Sequence, residues 1–324
     1  MSYAMKSLLV VASILLAGLS VTADAQPGGR PIRIVIPVAP AGAMDPFARA
    51  IAARLGEIRG QQVIVENRTG ANGIIAAEYV AKAEPDGLTL ILSEASPFVL
   101  NPHLYKNLPY DAVRSFTPIS QLAKVAWVLG VNSALPVNNF AELVALAKAK
   151  PEALSYGSIG LGSSTHVLVD SLKKTLGIEI LHVAYKGAGP ALTDLLAGQV
   201  SMMMITPGLL EPHARTGKLK LIAAATPQRI PRLPELPTIA ESGVPGYEGG
   251  TWFGLFGPAG LARDTAISLH ADTAKVLSEP AFRDQFTRQW IDLIGSTPEQ
   301  FSAFLKADFD RWAELVKRSG VSVQ

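Results

Sequence analysis

Short apolar runs alternate with helical patterns along almost the whole chain. Strands are expected at Ile32–Val38, Gln62–Glu66, Thr89–Ser93, Trp127–Val131, Leu154–Gly157, Ile180–Tyr185, Val200–Thr206 and Leu219–Ala225. Helical spacing falls between them at Pro46–Leu55, Gly73–Ala83, Phe140–Lys150, Thr165–Leu176, Pro190–Ala197 and Leu209–Thr216. The tail adds Arg263–Leu277, Glu279–Trp290 and Pro298–Arg318. A strand that is apolar along its length needs cover on both faces, and intervening helices supply it. The pattern predicts an α/β fold with two parallel-type sheets flanked by helices.

Two stretches interrupt the alternation. Ser120–Ala134 is apolar, with no helix between it and the preceding segment; Glu241–Gly260 is rich in Gly and Pro. A chain that leaves a first lobe near residue 125 and returns near 250 builds it from 26–125 plus 250–324, and a second from 126–249. The two crossover segments would form a hinge. The length suits two lobes of ordinary domain size. In open α/β sheets ligands sit beyond the carboxyl ends of the strands, and here that place is the cleft between lobes.

The N-terminus reads as a targeting segment. Lys6 precedes the apolar run Leu8–Leu19, and Ala23-Asp24-Ala25 offers a small-residue cleavage site, which together describe a secretory signal peptide spanning 1–25. The run is short against the roughly 20 residues a membrane span needs. Export to the periplasm is therefore expected, with cleavage after Ala25. The chain has no Cys, which removes thiolate catalysis, Cys-based metal sites and a lipidated N-terminal Cys. A chain this long can bury its core without disulfides. The formal charge is +2, with no dense Lys/Arg stripe, so no nucleic-acid partner is expected.

Two strand-to-helix loops carry the chemistry. In the first, Ile34-Val35-Ile36-Pro37-Val38 runs into Ala39-Pro40-Ala41-Gly42-Ala43-Met44-Asp45 and then the pattern from Pro46. A helix start leaves N–H groups unpaired and carries about half a positive charge. Small residues let a ligand touch that backbone, with Asp45 as N-cap and Pro46 at the first helical position. No Gly-Lys-Ser/Thr follows, so a carboxylate suits it better than a nucleotide. In the second, Tyr156-Gly157-Ser158-Ile159-Gly160-Leu161-Gly162-Ser163-Ser164-Thr165-His166 again follows a strand and opens a helix. Ordinary capped helices would use the same residues, but one such loop per lobe favours a two-jaw cleft.

These residues resemble a family. Pro31-Ile32-Arg33-Ile34-Val35-Ile36-Pro37 with the small-residue loop, Val65-Glu66-Asn67-Arg68-Thr69-Gly70-Ala71-Asn72-Gly73 and Asn101-Pro102-His103-Leu104-Tyr105 are similar to TctC or Bug-type periplasmic solute receptors. So are His182-Val183-Ala184-Tyr185-Lys186-Gly187, Leu236-Pro237-Thr238-Ile239-Ala240-Glu241-Ser242-Gly243 and Trp252-Phe253-Gly254-Leu255-Phe256-Gly257-Pro258. The resemblance spans essentially the whole mature chain. It implies a two-lobed, type II-like periplasmic-binding-protein fold that closes on a small di-, tri- or aromatic carboxylate. It implies delivery to membrane subunits of a tripartite tricarboxylate transporter, by a monomer without cofactor or metal. Carried over, the ligand-contacting positions are Ala41, Gly42, Ala43 and Asp45; Ser93, Ala95 and Ser96; Ser158, Gly162, Ser163, Ser164 and Thr165; and Tyr185 near the same cleft.

Two departures bear on the ligand. Family members usually carry two glycines where this chain has Ala41-Gly42. Many read Phe-Asp-Asn where this chain reads Met204-Ile205-Thr206. Ile205 cannot pair an ammonium group, and an unpaired buried charge is costly, so a ligand without an amino group is predicted. Met202–Ile205 would offer an adaptable apolar wall, or simply fill the core under a strand.

Catalysis has little support in the sequence. No His pair has metal spacing and no Gly-x-Gly-x-x-Gly appears. Ser163 or Ser164 with His166 would be the residues of a Ser/His hydrolase, but the Gly-x-Ser-x-Gly elbow is missing. A receptor for a periplasmic sensor kinase domain would use the same fold as a transport receptor.

Overall fold

A computed structural model describes residues 29–40, 43–151 and 153–323. The targeting segment, Ala41 and Gly42 lie outside the described residues. From the N-terminal side the elements are β1 (Ile32–Ile36), α1 (Met44–Arg59), β2 (Val63–Asn67), α2 (Ile74–Ala81) and β3 (Thr89–Ser93). A π-helical turn (Ser96–Leu100), α3 (Asn101–Leu104) and β4 (Phe116–Ala126) follow. Next come β5 (Val128–Asn132), α4 (Phe140–Ala149), β6 (Ser155–Ser158), α5 (Ser164–Leu176) and β7 (Leu181–Ala184). Then come α6 (Ala188–Leu196), β8 (Met202–Ile205), α7 (Pro207–Arg215) and β9 (Leu219–Ala224). The chain finishes with β10 (Gly250–Pro258), α8 (Arg263–Ser278), α9 (Pro280–Arg288), β11 (Ile291–Leu293) and α10 (Pro298–Ser319).

Two sheets result, ordered β11-β4-β10-β3-β1-β2 and β7-β6-β8-β5-β9. Both are mixed, where the alternation of strands and helices suggested parallel-type sheets. β1 runs parallel to β2 and β3, and β6 to β7 and β8. β10 is antiparallel to β3 and β4, and β5 to β8 and β9. The reason is the crossing itself: β10 and β5, by which the chain enters each lobe from the other, follow no crossover helix and run against both of their neighbours, whereas β4 and β9 keep the sense of the parallel strands.

The interruptions resolve accordingly. The apolar stretch Ser120–Ala134 is two strands in different sheets, β4 and β5, with Trp127 between them. The Gly- and Pro-rich stretch Glu241–Gly260 is not all hinge loop: from Gly250 it forms the nine-residue β10, because Thr251, Trp252, Phe253, Leu255 and Phe256 favour a buried strand. The helix expected over Glu279–Trp290 forms as α9, and the short β11, which the spacing did not suggest, follows it.

Helix α10 ties the lobes together. Its N-terminal half carries Phe301, which meets Phe256 and Trp252 of β10 at ring-centroid distances of 4.9 and 5.5 Å. Farther along, Trp312, Leu315 and Val316 share one buried cluster with Val167, Leu168 and Leu172 of α5. Thr297 and Gln300 form the capping box that starts α10, as their spacing predicts. On the other flank, Trp290 adopts φ +66° and joins the second-lobe cluster of Val128, Ile205 and Leu210.

Candidate functional site

The second-lobe loop is built by β6 and α5. Ser163, extended at φ −71° and ψ 161°, caps α5 by accepting the His166 N–H, and its hydroxyl donates to Gly160 O at 2.7 Å. Thr165 Oγ1 accepts the Ile159 N–H at 3.1 Å. Ser158 Oγ accepts the Gly160 N–H at 3.2 Å and lies 2.7 Å from His182 Nε2. The loop therefore folds onto its own hydroxyls, and Ser158, Gly162, Ser163, Ser164 and Thr165 form one unit. Ser164 differs from its neighbours: its hydroxyl is buried without a hydrogen-bond partner. Helix geometry also leaves the N–H groups of Ser164 and Thr165 without intrahelical acceptors. An orphan hydroxyl beside free amides at a helix start is suited to an anion.

His166 does not serve a serine nucleophile. Its Nδ1 accepts the Gly162 N–H at 3.0 Å and its Nε2 lies 3.2 Å from Asp170. The arrangement a Ser163–His166 or Ser164–His166 hydrolase needs is therefore not formed. Tyr185 adjoins the loop through the bond from its N–H to Ser158 O, but its hydroxyl donates to Asp194 at 2.7 Å. Burial and that carboxylate push the Tyr185 hydroxyl up to about 12.

In the first lobe, Asp45 lies in the second position of α1, after Ala43 at the N-cap. It does not cap the helix as the sequence suggests. Its carboxylate accepts from Arg49 at 3.0 and 3.1 Å and from Asn67 at 2.9 Å, and Asn67 also holds Val38 O. The loop that contains Ala43 is thus braced from β2. Ser93, Ala95 and Ser96 lie buried at the end of β3. Between Ser93 and Ala95, Glu94 accepts from Thr251 of β10 at 3.2 Å. Burial raises the Glu94 carboxyl above the ordinary carboxylate range, against the opposing pull of Ser96 and Thr251.

The two lobes meet at these loops. Gly70–Gly73 is a run of four residues with positive φ at the end of β2. It wedges between strand ends: a Cβ on Gly73 would lie 2.6 Å from Pro97 and 3.3 Å from Pro37. From this turn the Asn72 side chain donates to Gly162 O of the second-lobe loop at 3.1 Å. Loops that follow β1, β2 and β3 are thereby brought against the loop that follows β6.

Met202–Ile205 is not an exposed wall. All four side chains are buried: Met202 and Met204 belong to one cluster, and Met203 and Ile205 to another beside Trp290. Alternation along a covered strand explains the split. The next residue, Thr206, is buried with an unpartnered hydroxyl just before α7. No sequence motif gives Thr206, Glu94 or Asn72 a role in the site. Asn72 alone had a usable signal, since Asn between nearby glycines tolerates left-handed backbone.

A cavity of about 360 Å³ lies at the hinge, lined by Lys124, Ala126, Thr226, Gly250, Thr251 and Arg311 among others. Arg311 there is already paired with Asp308 and Glu248 O. That cavity marks the crossover rather than the strand-end loops.

The family model described as tripartite tricarboxylate transporter family receptor, TctC, matches residues 47–321. The chain belongs to this receptor family. Protein BugT of Bordetella pertussis is 33% identical over 99% of both chains. A protein from the tcbD-tcbE intergenic region of Pseudomonas sp. strain P51 is 36% identical over 90% of this chain and 87% of its own. Among solved structures, R. palustris Rpa4515 with adipate has TM-score 0.84 and 35% identity, covering 90% of this chain and 98% of that one. MatC from Rhodopseudomonas palustris with bound malate has TM-score 0.80 and 30% identity, covering 89% and 99%. TctC receptors share the two-lobed periplasmic-binding-protein fold, and these two relatives hold carboxylates. No helix among the described residues of this receptor is long and apolar enough to cross a membrane.

Proposed function

We propose that this receptor is exported to the periplasm after cleavage at Ala25, captures a small di-, tri- or aromatic carboxylate between its lobes, and presents it to membrane subunits of a tripartite tricarboxylate-type transporter. The observation that carries this reading is the unpartnered, buried Ser164 hydroxyl at the start of α5, joined to the first lobe through the Asn72–Gly162 bond. A ligand carboxylate there receives the Ser164 hydroxyl and the first-turn amides of α5, which replace its water shell. The first-lobe contacts come from the loop of Ala41, Gly42 and Ala43 and from the strand end at Ser93, Ala95 and Ser96. Asp45 braces the first loop rather than touching the anion.

Ligand enters between open lobes and favours the closed form by its differential affinity for it. The complex offers a closed surface to the transporter. The absence of an acidic side chain at Ile205 favours acids without an amino group. The adipate and malate held by relatives are consistent with that class.

A thermal-shift screen with adipate, malate, citrate and benzoate tests the reading, because a ligand of the folded form raises the melting temperature. At least one of these acids should shift it in a concentration-dependent way while the matching amino acids, such as aspartate, do not. A screen in which only amino acids shift the melting temperature would overturn the ligand class.

A further inference from the structure

Beneath the Gly-Ser loop lies a column of rings that ligand capture does not itself use. The His166 and His182 imidazoles stack at 3.8 Å between centroids and 13° between planes. Tyr156 stacks on His182 at 4.9 Å. Each imidazole holds one end of the loop. His166 Nδ1 accepts the Gly162 N–H at 3.0 Å, and Gly162 turns the chain at φ +69° into Ser163 and Ser164. His182 Nε2 lies 2.7 Å from Ser158 Oγ, which in turn accepts the Gly160 N–H.

We propose that the stacked His166 and His182 pair is the positioning element of the second-lobe carboxylate cradle, holding the loop in its ligand-ready shape. The proposal rests on the carboxylate-receptor reading above. The hydrogen bonds fix the chemistry. A Nδ1 that accepts an amide proton carries none of its own, so the His166 proton is on Nε2, facing Asp170 Oδ2 at 3.2 Å. A second proton on that ring sets N–H against N–H at Gly162 and removes the anchor of the turn. A proton on His182 places a cation against its stacked neighbour.

The groups that face the pair are Asp170 and Lys173 of α5 and Tyr156 of β6. Asp170 accepts from Tyr156 at 2.8 Å and pairs with Lys173 at 2.9 Å, so its charge is shared three ways. Burial and the adjacent His166 hold His182 down to about 4, with Lys173 acting in the same sense and Asp170 against it.

The test is calorimetric affinity for the tightest binder among adipate, malate, citrate and benzoate. His166→Gln retains an acceptor for the Gly162 N–H and a donor for Asp170 but does not titrate; His166→Leu retains neither. At pH 7.5 the Gln variant should bind within about threefold of wild type, and the Leu variant should lose about tenfold with circular dichroism unchanged. Between pH 7.5 and 4.0 the Kd of wild type relative to His166→Gln/His182→Gln should rise at least about twofold; using one acid for both proteins cancels the ligand's own ionisation. Equal affinity of the Leu variant and wild type, or superposed pH profiles, overturns the positioning role while leaving the receptor reading in place. Failure of wild type to bind any of the four acids overturns both.

Discussion

The Asn72 side-chain amide of the first lobe donates to the Gly162 carbonyl of the second over 3.1 Å. The same amide donates to Asn101 Oδ1 at 2.8 Å, and the Asn101 amide returns a bond to Asn72 O at 3.0 Å. Asn72 holds this posture at φ 53°, a conformation that costs a non-glycine residue about 1 kcal/mol or more. The strained turn thus links the loops at the ends of β2 and β3 to the Gly-Ser loop after β6.

Replacing Asn72 by Gly should separate the bond from the strain. Gly accepts the left-handed backbone and keeps the bond from the Asn101 amide to its carbonyl, so the turn survives, but the link to Gly162 is lost together with the bond to Asn101 Oδ1. A net hydrogen bond is worth about 1 kcal/mol, so carboxylate affinity should weaken by about fivefold. Small-angle scattering should show a larger radius for the variant than for wild type at equal ligand saturation. An unchanged affinity and radius would mean that the bond forms without biasing closure.

Ser164→Ala is predicted to act in opposite directions on stability and binding. The hydroxyl is buried without a partner, so its removal should leave the melting temperature of the free protein unchanged or higher. Binding should weaken by about five- to tenfold, because the ligand loses a donor. Melting curves with and without ligand check both signs. A lower melting temperature without ligand would show that the hydroxyl supports the fold instead.

Much of this arrangement was legible in the residues before any coordinates. The Thr297/Gln300 box and a Gly-rich, Ser/Thr-capped turn into α5 follow from local rules that depend on a few adjacent residues, although which serine caps α5 does not. The two-lobe organisation could be read from the missing helix near Trp127. The mixed sense of the sheets could not, because the pairing of β10 between β3 and β4 joins segments more than a hundred residues apart. Asp45 reads as a cap because carboxylates commonly are; Arg49 and Asn67, one turn and one strand away, hold it instead. The column of His166, His182 and Tyr156 was invisible for the same reason, since its members come from α5, β7 and β6.

Glu94 should make stability fall as pH rises. Its folded value lies above the unfolded one near 4.5, mainly through burial. A group raised in this way contributes fully below the unfolded value and loses its contribution as pH climbs through the folded one. Glu94→Gln, neutral throughout, should match wild type near pH 4 and melt higher at pH 8. The gap should open as pH rises above the unfolded value and grow until the folded carboxyl has ionised. A gap that is constant, or that narrows with pH, would show that the carboxyl ionises without penalty.

At Gly254 the Phe301 ring of α10 packs directly on the first-lobe sheet. It sits in β10 opposite Ser93 of β3, directly behind the proposed contacts at Ser93, Ala95 and Ser96. A Cβ there would lie 2.3 Å from Phe301 Cζ and 3.0 Å from the Phe256 ring. Phe301 is fully buried and Phe256 nearly so, so neither ring has free space to enter. Overpacking of this kind costs about 1–3 kcal/mol, and Gly254→Ala should unfold at correspondingly lower denaturant with an unchanged slope. Because Phe301 anchors the N-terminal half of α10, whose far end packs on α5, displacement of the helix should also weaken carboxylate binding. Trimming the partner in the double variant Gly254→Ala/Phe301→Leu should recover part of both losses, since the two sites share the contact. Additive losses in the double variant would place the strain elsewhere in the strand and separate α10 from the site.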